Sequence, residues 1–419
     1  MSDDAFWAKA LAEAEGADAA DPLGGARERF HLPRGTIYLD GNSLGPAPRA
    51  SLDALRQAAE AEWAEGLIGS WNAAGWFDLP TACGDLIAPI VGAEPGEVVV
   101  CDTTSINIFK TLHAALALRP DRGVILAEAS SFPTDLYIAE GELATRPGAR
   151  LRLEGVDGPD LSEMIDAEVA VVLVNQVDYR TGRKRDLAAL TRRAHAAGAL
   201  VVWDLCHSAG VMEVGLNAGE ADFAVGCSYK YLNGGPGAPA FVFVARRHQA
   251  EARQPLSGWW GHARPFDFAP GYAPDPGVRR FLCGTQPILS FRALKPALEM
   301  MADYRITDVR EKSLALTGRF IALAEATLAP FGVGLLTPKA EAERGGQVAL
   351  THPEAYAVVQ ALIHRGVVGD FRMPDVMRFG FAPLYLSHAE VVRAARTLEQ
   401  VLATEAWALP CYRERAAVT

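Results

Sequence analysis

Asp204, His207 and Lys230 are the residues whose types and spacing carry the most chemistry in this sequence. Val201-Val202-Trp203-Asp204-Leu205-Cys206-His207 ends one apolar run, and Ser228-Tyr229-Lys230-Tyr231-Leu232-Asn233-Gly234-Gly235-Pro236-Gly237 ends the next. Lysine is rarely buried unless paired. One placed after the apolar run Phe223 to Cys227 and before a glycine-rich turn therefore calls for a role beyond packing. A lysine amine can condense with a carbonyl cofactor, and pyridoxal phosphate is the common one, its pyridinium nitrogen paired with an aspartate. Taken singly, Lys230 reads as a surface lysine and Asp204 as a helix N-cap. Together, on successive strands, with His207 close behind the aspartate, they are better explained as one site at the edge where open α/β sheets bind ligands.

The elements that must position them form an alternation. Strands are predicted at Glu97 to Cys101, Gly123 to Ala127, Leu151 to Leu153, Val169 to Val174, Leu200 to Trp203, Phe223 to Gly226 and Ala240 to Val244. Helices are predicted at Ile106 to Leu118, Pro133 to Leu143 and Asp186 to Ala197. Strands alternating with helices of about ten residues imply βαβ units and a parallel sheet covered on both faces. Before this region, Asp4 to about Glu15 has helical spacing and Tyr38-Leu39-Asp40 reads as a strand. After about Tyr304 the texture becomes α+β: a long helix through Leu328, strands near Val333 to Leu336 and Gln347 to Leu350, and helices at Pro353 to Arg365 and His388 to Thr404. The segment Pro265 to Gly277 reads as an extended loop, too long to be idle.

Size and charge narrow the classes. The chain has 419 residues, half of them hydrophobic, which is more than one ordinary domain needs. Its formal net charge of −11, with no basic run, disfavours a nucleic-acid partner. The six cysteines are scattered without zinc spacing and read as reduced thiols, with no metal expected. An acidic start, Ser2-Asp3-Asp4, and the lack of a membrane-length apolar run lead to the expectation of a soluble cytoplasmic protein with no membrane partner.

Several motifs then converge: Tyr38-Leu39-Asp40-Gly41-Asn42-Ser43-Leu44-Gly45, Asn107 after Thr104-Ser105-Ile106, Ser131-Phe132-Pro133-Thr134-Asp135, and Asp204-Leu205-Cys206-His207. To these are added Cys227-Ser228-Tyr229-Lys230-Tyr231-Leu232-Asn233, Gly258-Trp259-Trp260-Gly261-His262, and Arg378 ahead of Ala382-Pro383-Leu384-Tyr385. On these residues the chain resembles the fold-type-I pyridoxal phosphate enzymes, related to class V aminotransferases, and among them the kynureninases, over nearly its whole length. The resemblance implies an α/β fold. A large cofactor domain at 51–303 would carry a mostly parallel mixed sheet, with a small α+β domain at 304–419 and an N-terminal segment, 1–50, partly joining the latter. It implies hydrolysis of L-kynurenine to anthranilate and L-alanine in tryptophan catabolism.

Position by position, the resemblance implies that Lys230 holds pyridoxal phosphate and carries the proton, and that Asp204 pairs with the pyridine nitrogen. His207 would support that aspartate or the ring hydroxyl. Thr104 and Ser105 would meet the phosphate at a helix N-terminus, although capping alone explains them about as well. Phe132 would stack on the ring, with Asp135 nearby, a core aromatic at a strand end being the competing reading. Asn175 would contact the cofactor. Tyr229, Trp259 and Thr285 would reach the phosphate, some from the neighbouring subunit of a homodimer with shared sites. Arg378 would take the α-carboxylate bidentately, with Ser43 beside the substrate, and Tyr229 would be the general acid. Thr285 is a departure: animal members tend to carry an amide there, which points to preference for L-kynurenine over its 3-hydroxy form.

Two other readings compete. A cysteine desulfurase or class V aminotransferase shares the fold, and the former would need a nucleophilic cysteine, for which Cys283 is the candidate. A non-catalytic regulatory module would require a DNA-binding head, and no helix-turn-helix segment precedes the core.

Overall fold

A computed structural model describes residues 4–155 and 158–415. Its central sheet has seven strands in the spatial order Val98–Val100, Phe241–Val244, Phe223–Gly226, Leu200–Asp204, Val169–Asn175, Val124–Glu128 and Arg150–Glu154. Neighbours run parallel except Phe241–Val244, which is antiparallel to both strands beside it. The interior strands are buried at every position, Val169–Asn175 among them, because helices cover both faces. This is the mostly parallel mixed sheet the sequence led us to expect. The predicted strands and helices between Glu97 and Val244 all form, with ends shifted by one or two residues.

A second, antiparallel sheet contains Asp370–Arg372, Val376–Gly380, Gln347–Thr351 and Gly334–Leu335 in that order. Ile37–Tyr38 pairs in parallel with Val367–Val368, and Asp40 bridges to Gly380, so the residues before Ser43 are laid against this sheet. The strands Val367–Val368, Asp370–Arg372 and Val376–Gly380 escape pattern reading. They are short, and Val376–Gly380 is buried on both faces with an arginine in its middle, which abolishes the alternation that marks a strand. The helices Arg49–Gln57, Leu79–Val91 and Ile288–Ala302 are also additions to the predicted set. The stretch Pro265 to Gly277 is largely irregular, with one short turn at Pro265–Asp267 and a bridge between His262 and Pro274. Among the described residues no helix is long and apolar enough to cross a membrane.

At the sheet edge away from the lysine, Asp222 precedes the strand Phe223–Gly226 and is almost fully buried. It pairs with His195 Nε2 at 2.9 Å and His248 Nε2 at 2.8 Å and accepts from Arg247 at 2.7 Å and the Val201 amide at 2.9 Å. Burial opposes its ionisation, but the histidine hydrogen bonds outweigh that and hold the carboxyl well below its ordinary value. A depressed carboxyl contributes stability above its unfolded value of about 4 and loses it as pH falls through the lower folded value. Asp222→Asn should therefore lower the folding free energy by about 3 kcal/mol at pH 7 and flatten the loss of Tm below pH 4. A variant whose Tm tracks the wild type at both pH 7 and pH 3 would refute this.

Candidate active site

The strand ends of the large sheet bring the sequence candidates around one cavity of about 440 Å3, whose walls include Ser43, Thr104, Ser105, Phe132, Asp135, Asn175, Asp204, His207, Tyr229, Lys230 and Arg378. Asn175 and Asp204 are register partners at the ends of adjacent parallel strands. The Asp204 carboxylate is fixed at both oxygens: Oδ1 accepts from the Cys206 amide at 2.7 Å, and Oδ2 accepts from Asn175 Nδ2 at 2.8 Å. Asn175 Nδ2 also donates to Asp135 Oδ2 at 3.0 Å. Burial, and then the charge of Asp204, pushes the Asp135 carboxyl well above its usual range, so Asp135 favours its neutral form beside Asp204.

Lys230 follows the strand Phe223–Gly226 in a tight turn closed by Gly234 N donating to Ser228 O at 2.8 Å. The turn is held from outside by Gly45, whose amide donates to Tyr229 O at 2.8 Å. Glycine is required there, because a Cβ would collide with the Lys230 carbonyl oxygen and with Asn233. The Lys230 amine lies 3.0 Å from His207 Nε2. His207 is buried, and burial followed by the Lys230 charge drives its imidazole well below its ordinary value, so the ring is neutral. Its tautomer follows from Gln347, on the other sheet. Gln347 Nε2 donates to Asp178 O and Tyr179 O at 3.2 and 2.8 Å, which turns Oε1 toward His207 Nδ1 at 3.0 Å. Nδ1 must then carry the proton, and Nε2 accepts from the lysine.

Of the two roles expected of His207, support of Asp204 or of the ring hydroxyl, the first finds no hydrogen bond here: the Asp204 oxygens are taken by Asn175 and the Cys206 amide, and His207 Nε2 meets Lys230. Phe132 is also not a core aromatic at a strand end. It stands at the start of the helix Pro133–Leu143 with its ring 45 % exposed, edge-on to Tyr179 at 5.2 Å. Tyr229 is half-buried, and repulsion from Cys227, then burial, pushes its phenol up, so it keeps its proton through the neutral range.

At the far wall the helix Thr104–Ala117 begins, and its N-cap is Thr103, whose hydroxyl accepts from Ile106 N at 3.4 Å. Thr104 and Ser105 are thus first-turn residues rather than the cap, which removes capping as the competing explanation for them. Asp102, just before, has a left-handed φ of 50° and is pinned by the fully buried Lys110, which also donates to Phe281 O at 2.6 Å. Arg378 is 1 % exposed and already engaged: Nε donates to Asp370 Oδ1 at 2.8 Å, NH2 pairs with Asp370 Oδ2 and donates to Ser43 Oγ at 2.8 Å, and NH1 donates to Tyr179 O at 2.6 Å. One edge of its fork is therefore closed by a protein carboxylate. Trp259 and Thr285 are exposed and lie outside the cavity walls of this chain. Cys283 is outside them too. The cysteine that does line the cavity is Cys206, whose thiol is pushed up by its hydrogen bond with Cys227 and by burial, the reverse of what a nucleophile needs.

The donor set fits pyridoxal phosphate. An amine, a fixed carboxylate, an aromatic face and a helix N-terminus surround one space, and Asn175 Oδ1 is buried there without a partner. Thr103, Tyr179, Gln347, Asp370 and Arg372 were not anticipated. Thr103 could have been found from the Thr-Thr-Ser run; nothing local marks the others. Gln347→Leu should keep cofactor and fold but lower kcat/KM about tenfold, by releasing the His207 tautomer (~1.4 kcal/mol). Full activity with normal cofactor content would show that the tautomer is set otherwise.

Residues 309–398 match the family model of the kynureninase C-terminal domain. A kynureninase of Burkholderia pseudomallei (strain 1106a) is 52 % identical over 417 residues, covering 98 % of this chain and all of the relative. That of Pseudomonas fluorescens is 50 % identical over 409 residues, 96 % and 98 % of the two chains. Among solved structures, the apo cysteine desulfurase of Thermococcus onnurineus NA1 superposes with TM-score 0.75 at 19 % identity, covering 91 % of this chain and 98 % of the other. A C-DES mutant with glycine covalently linked to its pyridoxal phosphate cofactor gives TM-score 0.75 at 18 % identity, covering 89 % and 98 %. These two likenesses concern the fold. The full-length identities decide the family: the chain belongs to the kynureninases, pyridoxal phosphate-dependent hydrolases acting on a carbon–carbon bond.

Proposed function

We propose that this site hydrolyses L-kynurenine between Cβ and Cγ, giving anthranilate and L-alanine, with the roles below. The observation that carries the reading is that the Lys230 amine, the fixed Asp204 carboxylate and the first turn of the helix Thr104–Ala117 face one cavity. When bound, pyridoxal phosphate supplies an electron sink for the pair left at Cα.

Lys230 holds the cofactor between turnovers. Once displaced by the substrate amine, it takes the Cα proton and returns it further along, with neutral His207 accepting one of its hydrogens and so aiming its lone pair. Asp204 would pair with the pyridine nitrogen and favour its protonated form, and the Cys206 amide and Asn175 Nδ2 fix its carboxylate for that role. Thr104 and Ser105 offer amides and hydroxyls to the phosphate, where the helix dipole favours an anion. Phe132, in the cavity wall, would offer the ring an aromatic face. Tyr229 retains its proton at neutral pH and delivers it to the γ-carbonyl oxygen or the β-carbon as water adds at Cγ and the Cβ–Cγ bond breaks. Arg378 and Ser43 receive the α-carboxylate.

The functional unit is a homodimer. Trp259 at 40 %, Phe266 at 64 % and Phe268 at 84 % exposure form a contiguous exposed aromatic surface of the kind that marks interaction sites, and Trp259 and Thr285 serve the neighbouring chain's site. The chain is read as a large cofactor unit at 51–303 and a small unit at 304–419, a reading supported by the separate sheets, and its place is the cytoplasm.

Incubation with L-kynurenine should yield anthranilate fluorescence, and Lys230→Ala should lower kcat by at least about 10³-fold with the fold intact. Absence of anthranilate from wild type, or a borohydride label on Lys184 or Lys295 rather than Lys230, would overturn the reading. Mixing Lys230→Ala with Trp259→Ala should restore partial activity through hybrid dimers, while no recovery after confirmed subunit exchange would rule out shared sites. Thr285 offers the substrate ring a short hydroxyl, so kcat/KM should favour L-kynurenine over the 3-hydroxy form, and Thr285→Asn should narrow the gap. Equal values for the two substrates in wild type would exclude that role.

A further inference from the structure

Arg378 alone is a poor two-point receiver for a carboxylate in this structure. Of its five N–H groups, the Nε hydrogen and one on NH2 go to Asp370, the other on NH2 goes to Ser43, and one on NH1 goes to Tyr179 O. One N–H is left. The strand Asp370–Arg372 runs antiparallel beside Val376–Gly380 with Asp370 opposite Arg378. Arg372, two residues beyond Asp370, projects from the same face, and it lines the same cavity. Its NH2 pairs with Asp370 Oδ2 at 2.7 Å and reaches Ser43 Oγ at 3.4 Å, and NH1 donates to Phe371 O at 2.8 Å. The Arg372 Nε hydrogen and one on NH1 have no acceptor among the described residues, and the side chain is 32 % exposed.

The charge count points the same way. Two guanidiniums share a single carboxylate, that of the buried Asp370. The nearby Asp40 does not complete the balance, because burial and then the Asp370 charge push its carboxyl up to about 7, leaving it only partly ionised at neutral pH. Ser43 Oγ now donates to Asp370 Oδ2 at 2.6 Å, and its hydroxyl can rotate to donate to an arriving anion.

We infer that Arg372 and Arg378 together form the anion-binding end of the cavity, that Asp370 is the positioning residue that sets the angle between their forks, and that the anion is the α-carboxylate of the amino-acid substrate. Arg378 supplies its one remaining N–H and Arg372 its free Nε hydrogen and one on NH1, so the carboxylate bridges them instead of sitting on one. This rests on the reading of the site as one for an amino acid, and it adds Arg372, the more accessible of the pair, as a specificity-determining residue.

The test uses the holoenzyme and two small probes, the product L-alanine and ethylamine, its counterpart without the carboxylate, with binding followed by the cofactor's absorption. Arg372→Gln should weaken L-alanine at least about tenfold, equal to ~1.4 kcal/mol, and ethylamine less than about twofold. It should raise KM for L-kynurenine in parallel while kcat falls less than about threefold, and Arg372→Lys should lie between it and wild type. Unchanged affinity for L-alanine in Arg372→Gln, or equal losses for both probes, would overturn the arginine pair. Failure of the wild type itself to cleave L-kynurenine would instead remove the reading on which the pair rests.

Discussion

The contact on which the site depends is the one between a lysine amine and a neutral imidazole. Lys230 follows a buried strand, and the partner its amine meets at 3.0 Å is His207 Nε2 rather than a carboxylate. A carboxylate there would stabilise the charged amine and raise the cost of making it a base. An imidazole kept neutral by burial accepts a hydrogen bond without adding a counter-charge. That arrangement works only with one tautomer, and the tautomer is dictated by Gln347, on the Gln347–Thr351 strand of the antiparallel sheet. The amide is locked in turn by the carbonyls of Asp178 and Tyr179, which lie just beyond the strand Val169–Asn175 of the large sheet. The reactive end of Lys230 is therefore set by a relay that passes from one sheet to the other and back.

Other buried charges in the molecule follow the same rule of local satisfaction. Lys110 is fully buried and spends its donors on Asp102 and the Phe281 carbonyl, which fixes the turn that begins the helix Thr104–Ala117. Asp370 is shared by two arginines and a serine. Asp204 is fixed by a backbone amide and by Asn175, and Asn175 is pinned by Asp135. In each case the group that faces the cavity is rigid because the group behind it has no freedom left. That is the preorganisation a site needs if it is to hold charge without reorganising at the moment of reaction.

What could be read in the sequence and what could not divide along the range of the interactions. The large sheet was legible because buried parallel strands are continuous apolar runs such as Val169 to Val174, and because Gly198 and the Gly-rich turn after Lys230 punctuate them. Asp204 and Lys230 were legible for the same reason: a charged residue at the end of such a run stands out. Gln347 and Arg372 were not, since a glutamine opening a short strand and an arginine between Phe371 and Met373 look like any others until strand register brings them to the cavity. His207 was found, but its contacts were not legible, because the sequence places it three residues from Asp204 while the turn directs its ring toward Lys230 and Gln347. Trp259 and Thr285 were singled out by resemblance, and in this chain both are exposed and stand outside the cavity walls.

The comparison with desulfurases shows how far a scaffold goes in deciding chemistry. At 19 % identity and TM-score 0.75, the sheet, the crossover order and the overall placement of elements are common property, and none of them specifies the bond to be broken. What differs must lie in the walls of the cavity. A desulfurase needs a thiolate that can approach the substrate, whereas the cysteine in this cavity, Cys206, is hydrogen-bonded to Cys227 and held toward its protonated form. Its backbone amide, not its sulfur, serves the site, by fixing Asp204. Hydrolysis of a carbon–carbon bond needs instead a proton donor that stays protonated at neutral pH. Tyr229 has that property by virtue of its surroundings. In this cavity the surroundings thus keep both the thiol and the phenol protonated, which suits a proton donor and not a thiolate nucleophile.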